Sequence, residues 1–553
     1  MRYTLLIFIP FFSLISSSAQ SDTTRLDKLP INKIASTALL INADLKSFDY
    51  KLLQDLPNVK TLTVIASRNL DIIKFLNNAK AIKQLKSLNI IGCGLGTLPN
   101  AIGQLEQLES LSLRENALRT LPDSIVRLSN LRKLDVSVNG YLYDNEVFAR
   151  LKYMNVTELD FSSSALITIE PSIGKVNSLS KVNFAKNGLS TLPEAMLGLK
   201  LKELDLSENI KLDSTLLLKQ LSKITTLTKL NLSRCELSAL HSSIGELKNL
   251  EYLNLSGNTL KSLPLTFTQL KNLTYLNLGM EGISLRMNQI ENLPDDFGTL
   301  TKLEYLDLSG NLLTTLPNSF EKLAALKHLD IHFAKLLDFP AQLITLTQLR
   351  YLNLNGNSLI NLPENIGNLS LLEELRLDNN FFNRFDKKIK NIPTSFGKLS
   401  NLKVLTLRDN VIETIPSTVS GLKKLELLDL RDNLLSTLPS EICQLKSLSY
   451  IDVKANEIKN LPLCLAELKS LKDLYLSFNT GLPFDQVNAI INQLPNLKFL
   501  DVSYNNFTKD QLSSFLSSRP DCRVINLNKK GAAVEKSDKQ NGDMYKFEKP
   551  VDR

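Results

Sequence analysis

Two of the three histidines stand in one short segment, LKHLDIHFA (326–334), where His328, Asp330 and His332 alternate. Imidazole and carboxylate are zinc ligands, and Asp307 falls at the place of Asp330 in the segment before, so a metal site is the first chemistry to weigh. On a strand, residues four apart are separated by about 13 Å, too far to converge on one ion. The sequence therefore predicts no metal and no cofactor. A polar contact surface, with imidazoles able to change charge near neutral pH, is the better reading.

Tyrosine offers a different chemistry. Five successive nine-residue segments of the type LEYLNLSGN carry Tyr252, Tyr275, Tyr305, His328 and Tyr351 at their third place and Asn254, Asn277, Asp307, Asp330 and Asn353 at their fifth. Rings supply apolar area with a polar handle, and amides and carboxylates fix orientation. With His332 at a seventh place, these are the candidate ligand-binding residues, suited to a protein or peptide segment or to a glycan. Gly257, Gly310 and Gly356 read as leaving room beside them. The competing explanation is that a tyrosine on an exposed sheet face raises strand propensity.

Catalysis has no comparable footing. No phosphate loop, G-x-S-x-G or H-E-x-x-H motif occurs, and His241 sits in LSALHSSIG as a surface residue. The stretches 20–35 and 531–553, outside the repeating part, are too short for a catalytic domain. A non-enzymatic binder is expected, with a structural assembly element lacking a discrete ligand as the alternative from another class.

What must position these side chains is a repeating frame, L-x-x-L-x-L-x-x-N, seen in LESLSLREN (108–116), LEYLDLSGN (303–311), LRYLNLNGN (349–357) and LKVLTLRDN (402–410). Its ninth place is Asn at 116, 139, 187, 209, 258, 288, 311, 357, 380, 410, 433, 456, 479 and 505, with Ser, Cys or another residue in the remaining units. The step is usually 23 residues, which makes about 21 units over 36–530, the terminal ones degenerate. Leucines two apart share one face of a strand, so stacked frames build a parallel sheet with leucine on its inner face. The ninth Asn, donor and acceptor at once, can satisfy backbone groups where the strand turns. Between frames runs x-L-x-x-L-P-x-x-I-G-x-L, as in LINLPENIGNL; its proline starts a short helical or irregular arm. The arms near 141–154, 211–224 and 484–493 are long enough for a fuller helix.

On these residues the chain resembles the leucine-rich repeat proteins, and its 23-residue L-P-x-x-I-G-x-L spacing is most similar to the subclass that includes Ras-group-related scaffolds. The resemblance implies an α/β solenoid, a right-handed leucine-rich repeat horseshoe with its parallel β-sheet on the concave face. It does not imply those scaffolds' partners, because the N-terminus departs from their cytoplasmic setting.

That N-terminus reads Met1-Arg2, an apolar run over 5–15, then Ser16-Ser17-Ser18-Ala19 before Gln20. It has the layout of a secretory signal peptide, 1–19, with an apolar stretch too short to span a membrane. The expected destination is periplasmic, cell-surface or extracellular, and the expected state is a monomer without a membrane span. A net charge of +8 over 553 residues, interspersed rather than clustered, argues against nucleic acid. The charged, apolar-poor segment 531–553 is predicted to be disordered.

Two steps hold seven extra residues, 279–285 (GMEGISL) and 383–389 (NRFDKKI), with the aromatic row between and beside them. Insertions into solenoids collect on one face, often the binding face. Arg408, Arg431 and Lys454, beside Asp429 and Asp452, read as a solvated charged ladder. Of five cysteines, Cys93 and Cys235 replace the ninth Asn, and Cys443 and Cys464 stand at different places of neighbouring arms, an offset that argues against a bridge.

Overall fold

The computed structural model describes residues 23–27, 35–280, 287–379, 388–519 and 521–526, which divide into two compact units, Met1–Leu326 and Lys327–Arg553. Unit one holds the strands from β1 (Thr23–Arg25) to β13 (Tyr305–Asp307), and unit two those from β14 (His328–Asp330) to β22 (Arg523–Ile525). Within each unit every strand pairs in parallel with the next, and equivalent places of the frame stand side by side, as in Tyr252↔Tyr275 and Leu253↔Leu276. Each unit is a leucine-rich solenoid on a parallel sheet, the fold class that the frame predicts.

The physical cause is the division of labour inside one frame. In 250–258, Leu250, Leu253 and Leu255 are fully buried, and burying one such side chain contributes about 1.5–3 kcal/mol. The strand proper is only three residues, the third to fifth places, because the chain turns immediately after the sixth. There Asn258 donates through Nδ2 to the carbonyls of Leu232 (2.8 Å) and Leu255 (2.9 Å), while its Oδ1 accepts from the backbone N–H of Cys235 (2.9 Å) and Leu237 (3.0 Å). Asn139, Asn311, Asn357 and Asn433 repeat the pattern of donation. Where cysteine replaces this Asn, the thiol still reaches a carbonyl, Cys235 Sγ to Leu206 O at 3.2 Å.

The eighth place of the frame is left-handed. Gly257, Gly310 and Gly356 have φ of +63°, +67° and +64°, but Glu208, Asp432 and Phe478 adopt the same conformation. These glycines therefore serve a turn that frames without glycine share. The expectation that they leave room for a ligand is corrected at Gly356, whose hydrogen faces the Phe333 ring at sub-contact distance for any Cβ.

Opposite the strands, most arms are single turns of 3₁₀ helix entered from an extended proline, for example Asn100–Gln104 after Pro99. The three longer arms are α-helices, α2 (Asp144–Leu151), α3 (Ser214–Leu221) and α4 (Phe484–Ile491); α1 (Ile72–Ala79) and α5 (Lys509–Ser518) add two more near the ends of the described chain. In L-P-x-x-I-G the glycine faces the residue two past the next proline: a Cβ on Gly103 would lie 2.5 Å from Ser124 O. Gly174, Gly245, Gly298 and Gly397 press in the same way on Ala195, Thr266, Ser319 and Thr418.

That contact corrects the reading of the cysteines. Cys443 and Cys464 form a disulfide with Cα atoms 5.7 Å apart. Cys443 stands at the glycine place of its arm and Cys464 two past the next proline, so the offset that argues against a bridge is the offset at which adjacent arms touch.

Residues 23–25, assigned to a lead-in by the sequence, extend the sheet as β1. The leader 1–19, the tail 531–553, Asn380 and most of both 279–285 and 383–389 lie outside the described residues.

Candidate binding surface on the open sheet face

Third and fifth places of the frame point away from the buried leucines, onto the open face of the sheet. In unit one the third places of β6 (Lys133–Asp135), β7 (Glu158–Asp160), β8 (Lys181–Asn183), β9 (Glu203–Asp205) and β10 (Lys229–Asn231) alternate Lys and Glu. Lys133 pairs with Glu158 at 3.1 Å, and Glu203 is held by Lys181 (3.1 Å) and Lys229 (3.3 Å). The sequence reading overlooked this ladder, although the alternation at 133, 158, 181, 203 and 229 was visible.

The row then changes from charge to aromatic. On β11 (Tyr252–Asn254), β12 (Tyr275–Asn277) and β13 the tyrosine rings stack: Tyr252 and Tyr275 have centroids 4.3 Å apart at 12°, and Tyr275 and Tyr305 4.3 Å at 9°. Parallel strands are spaced about 4.8 Å, so side chains in register on neighbouring strands meet face to face. Burial first, then Tyr275 beside it, raises the Tyr252 hydroxyl above the ordinary phenol range. Burial also raises Tyr275, whose hydroxyl shares hydrogen bonds with Asn277, Tyr305 and Tyr252. Both of these phenols stay protonated at neutral pH.

The fifth-place residues have a structural task. One side-chain oxygen of Asn254, Asn277 and Asp307 accepts from the backbone N–H two residues on, Ser256 at 3.0 Å, Gly279 at 2.8 Å and Ser309 at 2.9 Å. Asp135, Asp160, Asp205, Asn353 and Asp501 do the same in their frames. This is a second capping row beside that of the ninth Asn.

In unit two the His328 ring stacks on Tyr351, in β15 (Tyr351–Asn353), with centroids 4.1 Å apart at 2°. Burial, opposed by the nearby Asp330 charge, drives His328 down to about 4. It is neutral at neutral pH, which corrects the expectation that it changes charge there. His332 lies past the end of β14, in the turn; its Nδ1 and its backbone N–H both meet Asp330 Oδ1, at 2.6 Å and 3.0 Å. Asn353 Nδ2 donates to Asp330 Oδ2 at 3.1 Å. The two imidazoles thus have separate partners, and among the described residues no group of three His, Cys, Asp or Glu side chains could hold a metal ion.

The sequence matches family models described as leucine-rich repeat at 83–140, 225–283, 279–336 and 348–369, and as leucine-rich repeat region at 387–532. No curated protein matches. Among solved structures, a leucine-rich repeat protein of Leptospira interrogans is 29% identical, with 83% of this chain and 99% of that chain covered at a TM-score of 0.58. A plant peptide hormone receptor in complex with RGF2 is 25% identical, covering 85% and 68% at a TM-score of 0.56. The TLR13–ssRNA13 complex, 22% identical over 92% and 83% at 0.58, shares the fold. No helix among the described residues is long and apolar enough to cross a membrane.

Proposed function

The chain is a leucine-rich repeat protein, and from that premise we propose that it is an exported, non-enzymatic recognition scaffold that binds a protein or peptide segment on the open, concave face of its sheet. The binding surface runs over Tyr252, Tyr275 and Tyr305 with Asn254, Asn277 and Asp307 in unit one; His328, Asp330, His332, Tyr351 and Asn353 offer a similar surface in unit two. The stacking of the three tyrosines is the observation that carries this reading. Sugar recognition wants an open ring face, and both faces of Tyr275 are covered by its neighbours. Ring edges and hydroxyls remain, beside amides, and these suit the alternating donors and acceptors of a polypeptide. The similar plant receptor is a peptide receptor in its own right, which agrees with this choice over a glycan. The Cys443–Cys464 bond supports export, since disulfides persist in oxidising compartments.

The test is selection of a displayed random-peptide library on the mature protein, beside a glycan array, each repeated with the Tyr275→Ala/Tyr305→Ala double variant. Peptides enriched by the wild type and lost by the variant are expected. Enrichment of glycans alone would transfer the site to the runner-up ligand, and no difference between the proteins would remove the site.

A further inference from the structure

Unit two buries two carboxylates in the open face of its sheet. Asp429, in β18 (Leu427–Asp429), and Asp452, in β19 (Tyr450–Asp452), are register partners on adjacent parallel strands. They are 5% and 2% exposed, which corrects the expected solvated ladder. Each spends Oδ1 on its own turn, accepting from Arg431 N at 3.2 Å and from Lys454 N at 2.9 Å. What is left of both converges on one guanidinium. Arg431 Nη2 and Nε lie 2.7 Å and 3.0 Å from Asp429 Oδ2, and Arg431 Nε lies 3.6 Å from Asp452 Oδ2. The Tyr450 hydroxyl donates to Asp452 Oδ2 at 3.3 Å.

The neighbouring elements do not supply a second counter-charge to Asp452. From β17 (Val404–Thr406) comes Thr406, and just beyond that strand Arg408, whose backbone N–H donates to Asp378 at 2.8 Å. Asp378, raised by its own burial and also by Asp429, adds a further carboxylate along the row. Lys454 carries its ammonium over the Phe478 ring, 5.4 Å from the centroid. On the other side β20 (Asp473–Tyr475) offers another acid, Asp473, and the Tyr475 ring, 5.2 Å from that of Tyr450. Among the described residues, Arg431 is the cation within 4 Å of either carboxylate.

Two buried negative charges facing one positive charge are unfavourable, and such a pair relieves the imbalance by keeping a proton between them. We propose that Asp429, Asp452, Arg431 and Tyr450 form a proton switch in the sheet of unit two: with one proton the centre is neutral, and without it the open face carries a buried net negative charge. Burial first, then the Asp429 charge, pushes Asp452 up to about 7, in agreement with the geometry. The Tyr450 hydroxyl, raised by burial and then by Asp452, remains the donor throughout.

The sign of the effect follows. A free aspartate titrates near 3.9, so between about pH 4 and 7 the folded chain holds a proton that the unfolded chain has lost. Stability from this centre therefore rises as pH falls through about 7 and is absent above it. The measurement is the thermal midpoint against pH, from about 5.5 to 8.5, for the wild type and Asp452→Asn, together with the infrared difference spectrum of the two. The wild-type midpoint should fall relative to the variant as pH rises from about 5.5 and level off above about pH 7. The spectrum should show a protonated-carboxyl band at mildly acidic pH that disappears by about pH 8.5. Parallel midpoint curves, or no such band at pH 6, would overturn the switch. Should Asp452→Asn not fold, the pH difference spectrum of the wild type alone decides by the same band.

Discussion

A single ninth-place asparagine such as Asn258 closes backbone groups of two successive repeats, and its two ends are both in use. Replacing it by Leu would keep the volume and strand buried donors and acceptors at a cost of about 1–3 kcal/mol each. We expect Asn258→Leu to lose at least about 2 kcal/mol in urea unfolding; an unchanged midpoint would show that water takes the amide's place. This role was legible in the sequence because it recurs with identical residues at a fixed place. The capping duty of the fifth place was not, since Asn254 or Asp307 could equally present its oxygens to a ligand. Nor was the neutrality of His328, which results from burial under Tyr351 rather than from its own segment.

At the scale of the element, the arms are governed by how closely they approach. Gly298 faces the Ser319 carbonyl so tightly that any Cβ would overlap it, and overpacking of this kind costs about 1–3 kcal/mol. Gly298→Ala should lower the thermal midpoint by several degrees, whereas Gly198→Ala, with nothing within 4 Å of its added Cβ, should not. Equal midpoints for the two variants would refute the contact. The same approach makes the disulfide possible. Closing a loop of sequence separation 21 stabilises by about 3 kcal/mol in the chain-entropy model. Reduction, or the Cys443→Ser/Cys464→Ser pair, should therefore lower the midpoint of unfolding, and insensitivity to reductant would show that the two thiols are unbonded. Strand positions, proline-led arms and the longer helical arms could all be read from periodicity. The bridge could not, because it depends on the lateral offset between arms, which no single repeat displays.

For the molecule as a whole, each repeat meets only its neighbours, so the chemistry of the open face is laid out along the chain in blocks: a Lys/Glu ladder, a tyrosine stack, a histidine–tyrosine pair and a proton-holding acid pair. The first block neutralises itself and the last is the proposed proton switch, and the proposed binding surface takes the aromatic blocks between them. The frame made the fold legible. It was silent on the ligand, because a repeat that specifies its own core and turns leaves its third place free to vary. The most direct test of the account is the affinity of a library-selected peptide for the mature wild type and for Tyr275→Ala/Tyr305→Ala, measured by titration calorimetry with the fold checked by circular dichroism. The account predicts a loss of at least about tenfold, the equivalent of 1.4 kcal/mol, with unchanged dichroism; equal affinity for the two proteins would contradict it.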